Sequence, residues 1–370
     1  YNTLFGSVNV GSRFEGGTLT FSASHFDTDG FSAVDEDIPG VVEDDAAFST
    51  QVTFGATYDL TDTVTIGFDL LYTDAENEFD TTFPAPADAN RFLTSERLAG
   101  RIFAQIDGGM IDHEIAASFA STDRADPLSG FTTDFQGDRT GLSYKGTVEF
   151  SEDRVLVFGA DYEEEEYLSF GGGGRDTGEI ENSAIYGEYA AALTPDLDLS
   201  ASLRHDEHSR FGGATTGRIA LAWRPTDATT LRASYSTGFR APSLNELFGP
   251  FGANPDLQPE TSRSTEIGVD HDFGRGVASA TLFYTEIDDL IAFSGGYNQV
   301  PGTSVTQGFE LGLSYDITER ITAFGNYAYL DATDRNGNRL ARGPRHDPTL
   351  GVSAEFGQNW SAGFPMPMVS

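Results

Sequence analysis

Cysteine is absent from all 370 residues, and lysine occurs once, at Lys145. The first absence excludes disulfide scaffolds, cysteine-zinc sites and thiol nucleophiles. Basic side chains are scarce as a class, 22 against 58 acidic ones, which leaves a formal charge of −36. A chain of that sign cannot neutralise phosphates, so nucleic acid is excluded as a main partner. Long apolar runs are also missing. No stretch reaches the roughly 18 residues that a membrane-spanning helix needs, which excludes helical transporters. The chain opens Tyr1-Asn2-Thr3-Leu4, with no charged segment leading into an apolar one, and reads as a processed or partial sequence.

Catalytic signatures are lacking as well. There is no His-Glu-x-x-His, no Gly-x-Ser-x-Gly and no Gly-Lys-Ser/Thr phosphate loop, so the expectation is a protein that is not an enzyme and requires no cofactor. His205 and His208 are the only histidines close together, and three residues apart on a strand they face opposite sides. Gly171 to Asp176 fits a single Gly-Gly-x-Gly-x-Asp unit; without tandem copies it reads as a loop.

The sequence does have alternation with period two along nearly its whole length. Val64, Ile66, Phe68, Leu70 and Tyr72 share one face against Thr65, Gly67 and Asp69. The pattern recurs in Leu197 to Arg204, in Ile219, Leu221 and Trp223, and in Phe309, Leu311, Leu313 and Tyr315. Short turns such as Asp59 to Asp62, Thr194 to Asp196 and Arg224 to Asp227 alternate with long polar connections near 28–48, 74–93, 122–139, 169–179, 238–261, 288–303 and 333–347. A soluble sandwich also alternates, but strands of about 9 to 13 residues exceed the soluble mode of roughly 5 to 6 and suit a tilted bilayer crossing. Tyr58, Tyr72, Tyr189, Trp223, Tyr235, Tyr315 and Tyr329 sit where an interfacial girdle would lie. The fold class is therefore all-β, a transmembrane antiparallel β-barrel, with short turns at the periplasmic end and long loops outside. About seventeen strands can be placed, from 1–10 to 347–356, and an odd count suggests part of a larger, even-numbered barrel.

One segment is more specific. Gly238-Phe239-Arg240-Ala241-Pro242 runs on to Leu247, and Asn254-Pro255-Asp256-Leu257-Gln258-Pro259-Glu260 follows. Both halves, in this order, resemble the TonB-dependent outer-membrane receptor family, as do Phe283 to Ile291 and Gly308-Phe309-Glu310. The short insert Phe248 to Ala253 looks most like the cobalamin (vitamin B12) receptor branch. The resemblance implies a receptor of about twenty-two strands with an N-terminal plug, of which residues 1–357 would be an incomplete barrel of about seventeen strands and 358–370 an irregular tail. It also implies a Gram-negative outer membrane, surrounding lipid, a TonB complex acting through a plug missing here, and high-affinity uptake of a scarce cobalamin-like ligand. A ferric-siderophore or haem receptor of the same family is the alternative, and a passive porin is the alternative from another class.

Within the motif, the prolines end ladder pairing and stiffen the return, and Arg240 and Glu260 are expected to pair across it. Phe248, Phe251 and Asn254 are the expected ligand contacts, by stacking and hydrogen bonding. Acidic residues crowd the first loops, at Asp35, Glu36, Asp37 and Glu43 to Asp45, then at Asp74, Glu76, Glu78 and Asp80. Such oxygen donors suit calcium. The resemblance would place ligands at Asp44, Asp45 and Asp74, and it departs from the family pattern at Ser32.

Overall fold

The computed structural model describes residues 2–32, 44–81, 87–128, 132–171, 174–340, 344–356 and 360–367. The first strands are β1 (Thr3–Phe14), β2 (Gly17–Thr28), β3 (Ala47–Thr61), β4 (Val64–Thr81), β5 (Ala87–Asp107), β6 (Asp112–Ala125) and β7 (Thr132–Ser151). Then come β8 (Arg154–Gly171), β9 (Gly174–Thr194), β10 (Leu197–His208), β11 (Gly212–Thr226) and β12 (Thr229–Arg240). A short helix, α1 (Leu244–Phe248), precedes β13 (Glu260–Asp272), β14 (Gly276–Asp288), β15 (Ile291–Phe293) and β16 (Tyr297–Gln299). The chain ends in β17 (Thr303–Thr318), β18 (Ile321–Thr333), β19 (His346–Phe356) and β20 (Trp360–Pro367).

Eighteen strands form one sheet, and β15 and β16 form a separate hairpin. Each strand of the large sheet lies antiparallel to the next, with β14 pairing β17 across the β15–β16 excursion. The two-residue links at 15–16, 62–63, 152–153, 195–196, 227–228 and 319–320 fall at one end of the sheet. Gly16 takes a left-handed φ of 77° in the first of them, a conformation open to glycine without steric cost.

Alternation divides the two faces sharply. On one, Ile219, Trp223, Ile267, Leu282 and Leu311 are exposed, and apolar surface on that scale is stable against lipid rather than water. On the other, Arg101 pairs Glu114 at 2.7 Å, Arg204 pairs Asp161 at 2.8 Å and Arg232 pairs Asp270 at 3.0 Å. Near the short turns Phe14 stacks on Tyr58 and Phe273 on Tyr315, with Phe150 and Trp223 exposed at the same end. This is the girdle expected from the sequence, though Tyr72, Tyr189 and Tyr329 are half-buried.

All seventeen strands read from the alternation correspond to strands of the large sheet. Three differences have physical causes. Much of 74–93, 122–139 and 169–179, expected as loops, is strand, so that β5 and β9 reach 21 residues each. Above the apolar band the alternation of oily and polar residues fades while backbone pairing continues. The hairpin of β15 and β16 lies inside the expected 288–303 loop. The tail expected to be irregular contains β20, paired along β19. Its Pro365 and Pro367, two residues apart, lack N–H groups on the same edge, which a strand paired on one side tolerates.

Candidate functional site

The segment 241–259 leaves β12, folds onto the polar face and returns into β13. Fully buried apolar side chains are few in a sheet one layer thick. Among the described residues the largest are Leu247, Leu257 and Pro242, all in this segment, with Leu244 buried beside them. The segment thus carries its own small core. α1 starts with a capping box: Ser243 Oγ accepts from Glu246 N at 3.2 Å, and Ser243 N donates to Glu246 Oε2 at 2.7 Å. Phe248 sits over Gly178 of β9, where a Cβ would come within 2.4 Å of its ring.

Arg240 and Glu260 pair as the motif predicts. Arg240 Nε and Nη2 each reach a Glu260 oxygen at 2.8 Å, and Arg240 Nη1 reaches Glu246 Oε2 at 3.1 Å. Both residues lie at the loop rim, one level beyond exposed Arg263, whose contact with Asp288 at 3.3 Å marks the end of the apolar band. Burial opposes ionisation of Glu260, but hydrogen bonds from Arg240 and from Ile291 N–H outweigh it and hold the carboxyl below its usual range. Hydrogen bonding to Glu260 pushes the Arg240 guanidinium still higher than normal against the opposing effect of burial.

Of the expected ligand contacts, Asn254 and Phe248 are committed to the scaffold. Asn254 N donates to Glu246 O at 2.8 Å, its Nδ2 donates to Tyr297 O at 3.2 Å, and its Oδ1 accepts from Asp256 N at 3.0 Å. Phe248 is half-buried beneath the Arg210 guanidinium, 5.2 Å from its ring centre, while Arg210 also donates to Pro255 O. Phe251 is 62% exposed and stacks on exposed Phe293 at 6.4 Å. Gly238, Phe239, Ala241 and Pro242 line a cavity of 520 Å³ on the polar face, and Pro255 and Pro259 bracket buried Leu257 in the return.

The reading from sequence missed the partners that brace this loop. Tyr167 Oη donates to Asn245 Oδ1 at 3.1 Å, Asn245 Nδ2 donates to Tyr297 Oη at 3.3 Å, and Gln258 exchanges hydrogen bonds with Gln299. No sequence signal ties these distant residues together. Ser243-Leu-Asn-Glu246, in contrast, was a readable capping box.

The structure does not assemble the three calcium ligands. Ala46 meets Glu78, with Glu78 N donating to Ala46 O at 2.8 Å, whereas Asp74 lies opposite Thr50. That leaves Asp74 three residues, roughly 10 Å of strand, below the start of β3 and away from Asp44 and Asp45. Among the described residues no group of three or more His, Cys, Asp or Glu side chains is placed to hold a metal ion. Ser32, the point of departure from the family pattern, donates to Asp80 Oδ2 at 2.9 Å. Asp35, Glu36, Asp37 and Glu43 lie outside the described residues, as do Gly172 and Gly173.

Comparison with known proteins accords with this architecture. Residues 4–366 match the family described as TonB dependent receptor-like, beta-barrel. The vitamin B12 transporter BtuB of Photobacterium profundum is 27% identical over 365 residues, covering 90% of this chain and 55% of the relative. An iron-regulated outer membrane virulence protein of Vibrio cholerae is 31% identical over 43% of this chain and 28% of its own length. Among solved structures, the siderophore receptor PirA of Acinetobacter baumannii superposes with a TM-score of 0.82 at 15% identity, covering 98% of this chain and 64% of that one. The copper transporter OprC gives 0.77 at 18% identity, covering 99% and 66%. These likenesses extend the agreement in fold, and the chain spans little more than half the length of the BtuB relative.

Proposed function

The chain belongs to the TonB-dependent receptor β-barrel family, and from that premise we propose that it forms the barrel of an outer-membrane receptor for active uptake of a corrinoid. The ligand would bind at the loop end of the polar face, and energy would arrive from a TonB complex rather than from any catalytic group in the wall. The observation that carries the corrinoid is the extended match to a vitamin B12 transporter along 90% of this chain. The loop chemistry supports it: Phe251 and Phe293 form an exposed aromatic pair of the kind that stacks on a large ring system. Phe248 and Asn254 would contribute by holding that pair in place, a change from the direct contacts first expected of them.

A ferric-siderophore receptor is the second reading, favoured by the match to the iron-regulated protein. Saturable binding of cyanocobalamin to outer-membrane vesicles carrying the full-length gene product decides between them. Binding that unlabelled cyanocobalamin displaces supports the proposal. Displacement by ferric siderophores alone, or no saturable cyanocobalamin binding, overturns it.

A further inference from the structure

The cavity beneath the start of α1 is lined by Glu163 and Glu165 of β8, Asn182 of β9, Asp206 and His208 of β10, and Phe239 of β12. Most of its charged groups are satisfied within the wall. Arg204 bonds Asp161 at 2.8 Å and Asp206 at 3.0 Å, and Arg139 reaches Glu163 at 3.4 Å as well as Glu165. Two polar atoms are not satisfied. His208 is only 5% exposed and its Nε2 has no partner among the described residues; Asn182 Oδ1 is buried and has none among them either.

These two atoms are complementary in kind. Arg210 N donates to His208 Nδ1 at 3.1 Å, so that nitrogen carries the lone pair and a neutral ring holds its proton on Nε2. Asn182 Nδ2 donates to Asp206 Oδ1 at 2.9 Å, which leaves Oδ1 as the uncommitted acceptor. His208 and Asn182 are register partners across β9 and β10, so both side chains project from adjacent positions on the polar face. Two residues lining the wall on adjacent strands therefore hold one uncommitted donor and one uncommitted acceptor, in a cavity where carboxylates outnumber guanidinium groups.

We infer that this cavity is a subsite for a primary carboxamide carried on an arm of the transported ligand. The carboxamide oxygen accepts from His208 Nε2–H, and its NH₂ donates to Asn182 Oδ1. A carboxylate arm cannot do the second, and it would also face Glu163, Glu165 and Asp206. A catecholate iron chelate meets the same repulsion. The inference rests on the corrinoid reading, because a corrinoid bears primary carboxamides around its ring, and it names the part of that ligand the wall selects.

The test titrates cyanocobalamin and its monocarboxylic acid derivatives, each with one ring carboxamide hydrolysed, against the full-length gene product in outer-membrane vesicles. Wild type, His208→Phe and Asn182→Leu are compared. One derivative should bind the wild type about tenfold more weakly than cyanocobalamin, the scale of one or two hydrogen bonds lost. In both variants that ratio should shrink to within about twofold. Because the ratio is taken within each protein, partial misfolding lowers capacity without changing it. If the wild type discriminates no derivative, or the variants keep the wild-type ratio, the subsite is overturned and the corrinoid reading stands. If cyanocobalamin does not bind the wild type, the reading falls and the subsite with it.

Discussion

Arg240 closes β12 with a guanidinium shared between two carboxylates, and its contact with Glu260 is fork to fork. Lysine would keep the charge but not the planar pair of donors. Arg240→Lys should therefore loosen the base of the 241–259 loop by about 1–2 kcal/mol, a figure discounted because the Arg240 side chain is 46% exposed. Hydrogen exchange at the Ile291 amide, which donates to Glu260 at 2.6 Å, checks this: faster exchange is expected, and an unchanged rate would show the fork to be dispensable. The same carboxyl sets a pH dependence. Its folded value lies below the ordinary one, about 4.3 for a free glutamate, so its stabilising contribution is complete above that value and fades as pH falls through the folded one. Protection of Ile291, corrected for the intrinsic exchange rate, should hold at pH 7 and 5 and drop only once the pH has fallen below the ordinary glutamate range. A loss of protection centred at pH 5 or higher would contradict this account of Glu260.

At the scale of elements, periodicity revealed the strands but not the helix, of which only the capping box at its start was readable, and for one physical reason. A strand with one face in lipid must alternate, and Leu197 to Leu203 or Phe309 to Tyr315 declare themselves residue by residue. α1 has five residues, too few for a 3.6-residue period to register, and its buried Leu244 and Leu247 make sense only against β8 and β9. The loop-side ends of β4, β5, β7 and β9 were illegible because the alternation of oily and polar residues fades there while the pairing continues. The Arg240–Glu260 pair was foreseeable from the motif, whereas Tyr167, Arg210, Tyr297 and Gln299, on a strand, a turn and a separate hairpin, meet the loop only in the folded chain. The seat of α1 gives a sharp test. Gly178→Ala would put a methyl group 2.4 Å from the Phe248 ring and 3.1 Å from Leu244. The helix should lift, exposing 244–257 to protease at least several-fold faster while the strand signal in circular dichroism stays constant. Cleavage at the wild-type rate would mean that Phe248 can turn aside at no cost to the loop.

For the whole molecule, the −36 charge and the exposed apolar face describe a single arrangement. Carboxylates concentrate on the polar face and in the connections beyond the apolar band, and several of the few arginines pair with them, as at Arg101, Arg204 and Arg232. The opposite face carries Ile267 and Leu282 directly across from one another, 58% and 62% exposed. In water such a pair would be a liability, and replacing one member by lysine would be neutral or favourable. In a bilayer the same change places an ammonium against hydrocarbon at a cost of about 2–4 kcal/mol. Ile267→Lys should accordingly weaken folding into lipid vesicles by that amount, read as a lower urea midpoint for the heat-modifiable folded form. Ser234→Lys, on the polar face opposite Glu266, should leave the midpoint within about 0.5 kcal/mol of wild type. Equal midpoints for all three proteins would contradict the assignment of the two faces, on which every placement of ligand, lipid and loop in this barrel depends.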